Sequence, residues 1–406
     1  MAETFTYKVR DRAGKVLEGQ LEADSAQLVV SKLRSMGYVP IDITQQQTKS
    51  MSREIKIPGL SNRVKLKEVA VFSRQFATMI NAGLSLLRSL HILAEQTENK
   101  ELARVANEVR MDVEKGASLS QALGRHPKVF NRLYISMVRA GEIGGVLDSV
   151  LLRLADTIEK QVELRRKVKS AMTYPAVVAF LVVAIVTSML LFVIPMFEDL
   201  YTELGGSLPA PTQFLISVSQ FLRKFWWLIF GLEVGGIVWF RKWINSEKGR
   251  EKWDTIKLRV PIFGPLVRKT ALARFSRTLS ALVRSGVPIL ESLDIVAETA
   301  GNHVVATAVR DTQQAVKAGE PLARRLEEHP VFPPMVVQMM AVGEETGALD
   351  EMLDKIADFY DQEVEAAVDA LTSLIEPLLI VVMGAAVGSM VIALYMPMFN
   401  IIKLIK

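Results

Sequence analysis

Two long apolar segments restrict what this chain can fold into more than any other feature of its sequence. Residues 176–197 and 377–399 are uncharged stretches of 22 and 23 residues. Since an α-helix rises 1.5 Å per residue, each segment is long enough to cross the ~30 Å hydrocarbon core of a bilayer. A buried helix of a soluble protein rarely needs so long an uncharged run. We therefore predict transmembrane helices at 175–197 and 377–399.

A shorter apolar segment, residues 225–240, lies between these two. Tryptophans stand near both of its ends and basic residues flank it on either side, a pattern typical of anchoring at membrane interfaces. Glu233 lies in its middle, and a carboxylate in a bilayer core needs a partner. We interpret Glu233 as a candidate intramembrane contact with another helix or subunit; an ion or proton pathway is the alternative.

The chain contains an internal duplication. Phe72-Ser73-Arg74 returns as Phe275-Ser276-Arg277, and the matches continue, after a one-residue deletion, through both long apolar segments. Each copy consists of a polar helical domain, at 65–170 and 269–373, followed by one predicted span. Two such copies in tandem would lie on opposite sides of the membrane unless a third segment crosses between them. Residues 225–240 are in the right place for that crossing, so we predict three spans.

The distribution of basic residues predicts which side is cytoplasmic. The N-terminus lacks the apolar region of a signal peptide, and basic residues are concentrated at 160–169 and 241–259. By the positive-inside rule, both helical domains and the linker at 241–268 are cytoplasmic, and the loop at 198–224 is external. The three-span count also makes the tail at 400–406 external, although it carries Lys403 and Lys406.

The polar regions differ in their periodicity. In residues 1–45, alternating apolar residues, a turn at 11–14 and a short helix predict a small β-α-β unit, which a polar linker at 46–64 joins to the rest. From Lys65 onward, apolar residues such as Val69, Phe72 and Phe76 recur with helical spacing. The predicted fold class is an all-α membrane protein with two duplicated cytoplasmic helix bundles, three transmembrane helices and a small α/β N-terminal unit.

No constellation of residues in the sequence indicates catalysis. The chain has no cysteine, which excludes disulfides, thiol catalysis and cysteine-based metal sites. It lacks the glycine-lysine loop that binds triphosphates, and its four histidines show no metal-site spacing. A net charge of +5 over 406 residues is too small to indicate nucleic-acid binding. We expect no enzyme activity, cofactor, metal or nucleic-acid partner.

The duplicated motif G-E-x-x-G-x-L-D, at 141–148 and 343–350, is the most distinctive polar feature. Its two copies share two glycines, one glutamate and the final Leu-Asp at the same spacing. Its glycines can adopt the positive φ that ends a helix, and its acids can cap or occupy the first turn of the next helix. Alternatively, the acids form a surface for a basic partner or a divalent cation, although no calcium-binding loop is present. The candidate partner-binding or capping residues are Glu142, Asp148, Glu344, Glu345 and Asp350.

Taken together, these motifs resemble a known family. The sequence R-Q-F-A-T-M-I-N-A-G-L-S-L-L at 74–87, the two acidic motifs, A-M-T-Y-P at 171–175 and I-P-M-F at the end of the first span are similar to the type II secretion F / type IV pilus PilC family of inner-membrane platform proteins. The resemblance covers nearly the whole chain. The second copy is looser, because Arg277-Thr278-Leu279 replaces Arg74-Gln75-Phe76 and Glu376 replaces Tyr174.

The resemblance implies a non-enzymatic adaptor in the bacterial cytoplasmic (inner) membrane. Such a protein would couple a cytoplasmic hexameric assembly ATPase to the extraction of pilins or pseudopilins and their addition to a filament. The other expected partners are further inner-membrane platform components, membrane lipid and copies of the same chain, in a homodimer or higher oligomer. The alternative from another class is a secondary transporter with parallel repeats. Transporters of that kind place most of their duplicated residues in the spans, whereas here most of the duplicated residues are polar and lie outside the spans.

Overall fold

The computed structural model describes residues 3–10, 16–23, 26–45, 64–196, 199, 210–261 and 263–404. The chain divides into two compact units, Met1–Ser61 and Asn62–Lys406. The turn predicted at 11–14, nearly all of the linker predicted at 46–64 and residues 200–209 of the predicted external loop lie outside the described residues.

The smaller unit is a three-stranded sheet with one helix. Its elements are β1 (Glu3–Arg10), β2 (Val16–Ala23), α1 (Ala26–Ser35) and β3 (Val39–Gln45). β1 is the central strand and pairs antiparallel with β2 on one side and β3 on the other. Pro40 lies in β3, an edge strand, where a missing backbone N–H is tolerated. Val9, Val29 and Leu33 are buried and form the core of this unit.

The first copy of the repeat is a bundle of helices joined by short turns. Three of its helices begin at a residue whose side chain accepts hydrogen bonds from backbone N–H groups of the first turn. These capping residues are Asn99, Ser118 and Asn131, which precede the helices starting at Lys100, Leu119 and Arg132. The apolar faces meet in a core in which the rings of Phe130 and Tyr134 lie 4.7 Å apart. The helices are α2 (Leu66–Asn81), α3 (Leu86–Gln96), α4 (Lys100–Glu114), α5 (Leu119–Gly124), α6 (Arg132–Gly144) and α7 (Leu147–Ser188).

Two further helices, α8 (Ala210–Ile244) and α9 (Glu247–Arg259), lie between the copies in the chain. The sequence analysis predicted an external loop at 198–224; in the structure residues 210–224 of it are helical, and their external position stays a prediction. The reason is an amphipathic pattern among polar residues: Thr212, Ile216 and Ser219 are buried on one face. The helix is kinked at Phe225, whose φ of −113° and ψ of 16° are not helical.

The second copy repeats the order of helices seen in the first. The docked connecting helix α9 contributes to it, because the buried Asp254 accepts a hydrogen bond from the backbone N–H of His303 at 2.8 Å. The helices of this copy are α10 (Phe263–Arg284), α11 (Ile289–Thr299), α12 (His303–Lys317), α13 (Leu322–Glu327), α14 (Pro334–Thr346) and α15 (Leu349–Leu404).

The last helix of each copy continues without a break from the bundle into an apolar segment. α7 passes through Pro175 and is followed by a π-helical segment at Met189–Val193, and α15 extends to Leu404. Among the described residues, these two helices are long and apolar enough to cross a membrane, and only 11% and 6% of their most apolar stretches are buried. So little burial is unlike the core helix of a soluble protein. The apolar part of α8 is shorter and contains Glu233.

The beginning of α8 packs against the far ends of both apolar helices. The Thr212 hydroxyl donates a hydrogen bond to the Ala393 carbonyl at 2.6 Å, and the Ser219 hydroxyl donates to the Leu190 carbonyl at 2.5 Å. Side chains from the three helices form a small apolar cluster around these bonds, consisting of Leu190, Ile194, Ile216 and Met390. The two apolar helices and α8 are therefore joined at this end.

Candidate functional site

The two acidic motifs form the turns between α6 and α7 and between α14 and α15, which we call the distal turns (residues 141–148 and 343–350). Gly145 and Gly347 have φ of +67° and +71°, the left-handed conformation that ends a helix. Gly141 allows a close approach instead, since a Cβ there would lie 3.1 Å from the Cβ of Val150. A Cβ on Gly343 would lie 3.0 Å from the backbone of α15. The spacing of glycines in the motif thus sets both the end of one helix and its contact with the next.

The glutamate of each motif accepts two backbone hydrogen bonds. The Glu142 carboxylate accepts from the N–H groups of Leu119 at 2.5 Å and Ser120 at 3.0 Å, the first residues of α5. Glu344 does the same for the first two N–H groups of α13, at 2.8 and 3.2 Å. These N–H groups have no partner within their own helix, and a negative charge is favourable there. Each glutamate therefore caps the short helix that precedes it, and not the long helix that follows.

The remaining acids of the motifs are spread over the surface of the distal turns. Asp148 is exposed in the first turn of α7, and Asp350 lies in the first turn of α15, 3.2 Å from Arg284. Glu345 is exposed at the end of α14. Over the described residues, neither Asp148 nor Glu345 forms a hydrogen bond or ion pair, and no group of three His, Asp or Glu side chains is arranged to hold a metal ion.

The distal turns lie far from the apolar segments. From Leu147 to residue 176, α7 rises about 44 Å, and from Leu349 to residue 377, α15 rises about 42 Å. Ile143 is 82% exposed at the first distal turn, and Glu345 occupies the matching position of the second. Each long helix therefore joins an exposed turn at one end to an apolar segment at the other.

A duplicated ion-pair arrangement fastens the first long helix of each copy to the last. In the first copy, Arg74 on α2 binds both Asp156 and Glu159 on α7. These bonds raise the pKa of the Arg74 guanidinium, and the bond from Arg74 lowers the pKa of the Glu159 carboxyl. In the second copy, Arg277 on α10 binds two aspartates of α15 in the same way. Sequence reasoning missed this role, although the arginine is part of the repeated Phe-Ser-Arg and each copy has a pair of acids three residues apart.

The two copies also bind each other. Arg132 on α6 pairs with Asp294 at 2.9 Å and Glu298 at 2.6 Å, both on α11. The Ser136 hydroxyl donates to Glu291 of the same helix at 3.0 Å. The hydrogen bond that Arg132 donates to Glu298 is the main cause of the raised pKa of the Arg132 guanidinium. Buried apolar residues of both copies belong to one continuous core, so the two bundles form a single body.

Glu233, the candidate intramembrane contact, lies in the exposed part of α8 after the kink. Residues 231–240 are exposed on all sides of the helix. In the described part of the chain, Glu233 has neither a hydrogen bond nor an ion pair. The structure of a single chain thus leaves this surface open to lipid or to another subunit.

Comparison with known proteins gives consistent matches over the chain. The family model described as type II secretion system (T2SS), protein F matches residues 72–195 and again 275–397, and the model for the N-terminal domain of that protein matches residues 1–44. The type IV pilus assembly protein PilC of Thermus thermophilus is 46% identical over 399 residues, covering 98% of both chains. PilC of Myxococcus xanthus is 42% identical, covering 98% of this chain and 94% of its own. The type II secretion system protein F of Pseudomonas aeruginosa is 35% identical over 99% of both chains.

Proposed function

Because the chain belongs to the type II secretion system protein F family, we propose that it is the inner-membrane platform protein of a type IV pilus or type II secretion machine. In this role it couples a cytoplasmic assembly ATPase to the extraction of pilins or pseudopilins and to their addition to the filament. The chain contributes binding surfaces and movement, and the ATPase partner supplies the chemistry. Further copies of the chain and other inner-membrane components complete the assembly.

One observation carries this proposal. Two helices, α7 and α15, run unbroken from exposed distal turns into apolar segments, while the bundles that they belong to are joined by Arg132 and by a shared core. Between its distal turn and the proline at the start of its apolar segment, each helix contains no proline, so a displacement imposed at the distal turn is carried along its axis towards the membrane. The ion pairs of Arg74 and Arg277 support this role, since they fasten each long helix to its own bundle.

The contacts between the copies also support the proposed topology. Two bundles that touch lie on the same side of the membrane, and copies that each end in one span need a third crossing between them. We assign that crossing to α8, whose 35 residues amount to about 52 Å of helix. The excess of basic residues on the bundle side of the spans makes that side cytoplasmic.

We assign ATPase binding to the distal turns. Glu142 and Glu344 are occupied with capping, so the side chains free to contact a partner are Ile143, Asp148 and Glu345. An exposed isoleucine beside acids fits a partner surface that combines an apolar pocket with basic residues.

The test is binding of the assembly ATPase from the same genome to the full chain in lipid nanodiscs. We expect Asp148→Lys and Glu345→Lys to weaken binding by about tenfold or more, because each places a positive charge against a basic surface. Glu98→Lys, an exposed charge reversal at the turn between α3 and α4, is the matched control and should bind as the wild type does. Unchanged affinity in both test variants would remove the assignment to the distal turns, and no binding by the unaltered chain would contradict ATPase coupling.

A further inference from the structure

A pocket lined by basic and apolar residues lies between the two copies, beside the start of the first apolar segment. It has a volume of about 350 Å³ and opens between α7, α10 and the turn that precedes α12. This is within the range of roughly 300–1,000 Å³ found for ligand pockets. Its apolar wall is formed by side chains of α7 and α10, namely Leu164, Val168, Met172, Leu266 and Val267.

Three cationic side chains line the same pocket. They are Arg165 and Lys169, one turn apart on α7, and Arg274 on α10. No Asp or Glu is among the described residues of the lining, and none of the three cations forms an ion pair within the part of the chain that the structure describes. Elsewhere in the same body the arginines Arg74, Arg132 and Arg277 each bind two carboxylates.

Arg274 is the unusual member of this group because it is largely buried. Burial lowers the pKa of its guanidinium, and the charge of Arg165 lowers it further. An arginine nevertheless remains charged, so its burial without an anion is costly. Gly301, at φ +74°, makes room for it: a Cβ on Gly301 would lie 2.1 Å from Nη1 of Arg274. The guanidinium is thus held in the pocket wall, with its charge uncompensated by protein.

The duplication shows that this pocket is not a general property of the bundle. At the positions equivalent to Arg274, Arg165 and Lys169, the other copy has Val71, Ala367 and Leu371. None of these can carry a charge. The three cations therefore belong to one side of the molecule, where α7 of the first copy meets α10 of the second.

The position of the pocket along α7 indicates the source of its ligand. Lys169 precedes residue 176, where the predicted apolar segment begins, by seven residues, or about 10 Å of helix. The headgroup region extends about 5–7 Å beyond each face of the hydrocarbon core, so Lys169 lies next to it, within reach of a long side chain. An anion at this depth, with an apolar wall beside it, is typical of a phospholipid, and basic pockets next to spanning helices bind anionic headgroups.

We propose that this pocket binds one anionic phospholipid of the cytoplasmic leaflet, with its phosphate between Arg165, Lys169 and Arg274 and an acyl chain along the apolar wall. The guanidinium groups provide paired N–H donors that match phosphate oxygens. The bound lipid neutralises the buried charge and fills the gap between the copies, so it stabilises their contact. The proposal requires that the chain lie in a membrane, but it does not depend on the platform role.

The test uses the full chain purified in detergent and titrated with phosphatidylglycerol, with phosphatidylcholine and inorganic phosphate in parallel arms. Bound lipid is counted by native mass spectrometry, and stability is followed by thermal unfolding. The test variants are Arg274→Gln and Arg165→Gln; the second changes an exposed residue and so leaves folding intact. The matched control is Arg166→Gln, which removes an exposed charge next to Arg165, at the same depth but outside the pocket.

We expect one tightly bound phosphatidylglycerol on the wild-type chain and on Arg166→Gln, with a raised unfolding temperature. Each test variant should need about tenfold more lipid for the same occupancy. An equal loss in Arg166→Gln would mean general attraction to an anionic surface and would overturn the proposal. Equal stabilisation by phosphatidylcholine would remove the role of charge. Stabilisation by inorganic phosphate at the same low concentration would show that the ligand of this pocket is a soluble phosphate and not a lipid, and would overturn the proposal.

Discussion

Replacing Glu142 with alanine removes a carboxylate that accepts two backbone hydrogen bonds at the start of α5. Hydrogen bonds to a charged group contribute about 1.5–3 kcal/mol each, and freed N–H groups at a helix end can still bond to water. Because water replaces part of what is lost, we expect the pair to contribute less than the sum of two such bonds, a loss of about 2 kcal/mol. The two joined bundles, at 65–170 and 269–373, have a combined size for which a change of 1 kcal/mol in the free energy of unfolding shifts the unfolding temperature by about 2–4 °C. We therefore expect a decrease of about 4–8 °C.

The assay compares thermal unfolding of Glu142→Ala, Glu344→Ala and Glu345→Ala in the same detergent and at the same scan rate. Glu345 is next to Glu344 in the sequence, but it is exposed and caps no helix among the described residues, so Glu345→Ala should unfold within about 1 °C of the wild type. Hydrogen exchange at the amides of Leu119 and Ser120 should accelerate in Glu142→Ala alone. If Glu142→Ala unfolds like Glu345→Ala and leaves those amides protected, the capping role derived from the distances is wrong.

Four further predictions follow from the same contacts. A double-mutant cycle of Arg132→Ala with Glu298→Ala should give a coupling of about 0.5–1 kcal/mol, because both side chains are partly exposed, and zero coupling would contradict the contact between the copies. Because Arg74 lowers the pKa of Glu159, their ion pair stabilises the fold at pH values above the ordinary pKa of glutamate, and this stabilisation is lost as the pH falls through the lowered pKa. Arg74→Gln should therefore reduce the slope of unfolding temperature against pH in that acidic range, and an unchanged slope would contradict the role of this ion pair. Gly141→Ala should lower the unfolding temperature because its Cβ would meet Val150, whereas Gly144→Ala, with an ordinary 3.4 Å contact, should change it less; equal effects would refute the close approach. Glu233→Gln should insert and accumulate in the membrane as the wild type does, measured by immunoblot of membrane fractions, whereas degradation of the variant would show that the charge itself is needed.

The features visible in the sequence were those encoded by local patterns. The apolar segments, the duplication and the helical spacing of Val69, Phe72 and Phe76 depend on neighbouring residues, and the described helices follow them closely. The N-terminal unit likewise has strands where apolar residues alternate. The resemblance to the family rests instead on specific motifs, such as R-Q-F-A-T-M-I-N-A-G-L-S-L-L at 74–87 and A-M-T-Y-P at 171–175.

The parts that the sequence did not reveal depend on contacts between distant residues. Glu142 caps a helix that begins 23 residues before it, and nothing in its local sequence distinguishes this from capping of the next helix. The start of α8 at Ala210 was hidden because its buried face includes Thr212 and Ser219, whose hydroxyls are satisfied by carbonyls of other helices. The grouping of Arg274 with Arg165 could not be predicted either, because it depends on the packing of α10 against α7 of the other copy.

The most direct test of the account is the side of the membrane on which each copy lies. Since the chain has no cysteine, single cysteines can be introduced without background at Lys115 and at the equivalent Ala318, both exposed, and at Ser207 in the predicted external loop. A membrane-impermeant maleimide applied to intact spheroplasts should label Ser207→Cys at once, and should label Lys115→Cys and Ala318→Cys only after permeabilisation. Labelling of Ala318→Cys but not Lys115→Cys in intact spheroplasts would put the two bundles on opposite sides and contradict the account.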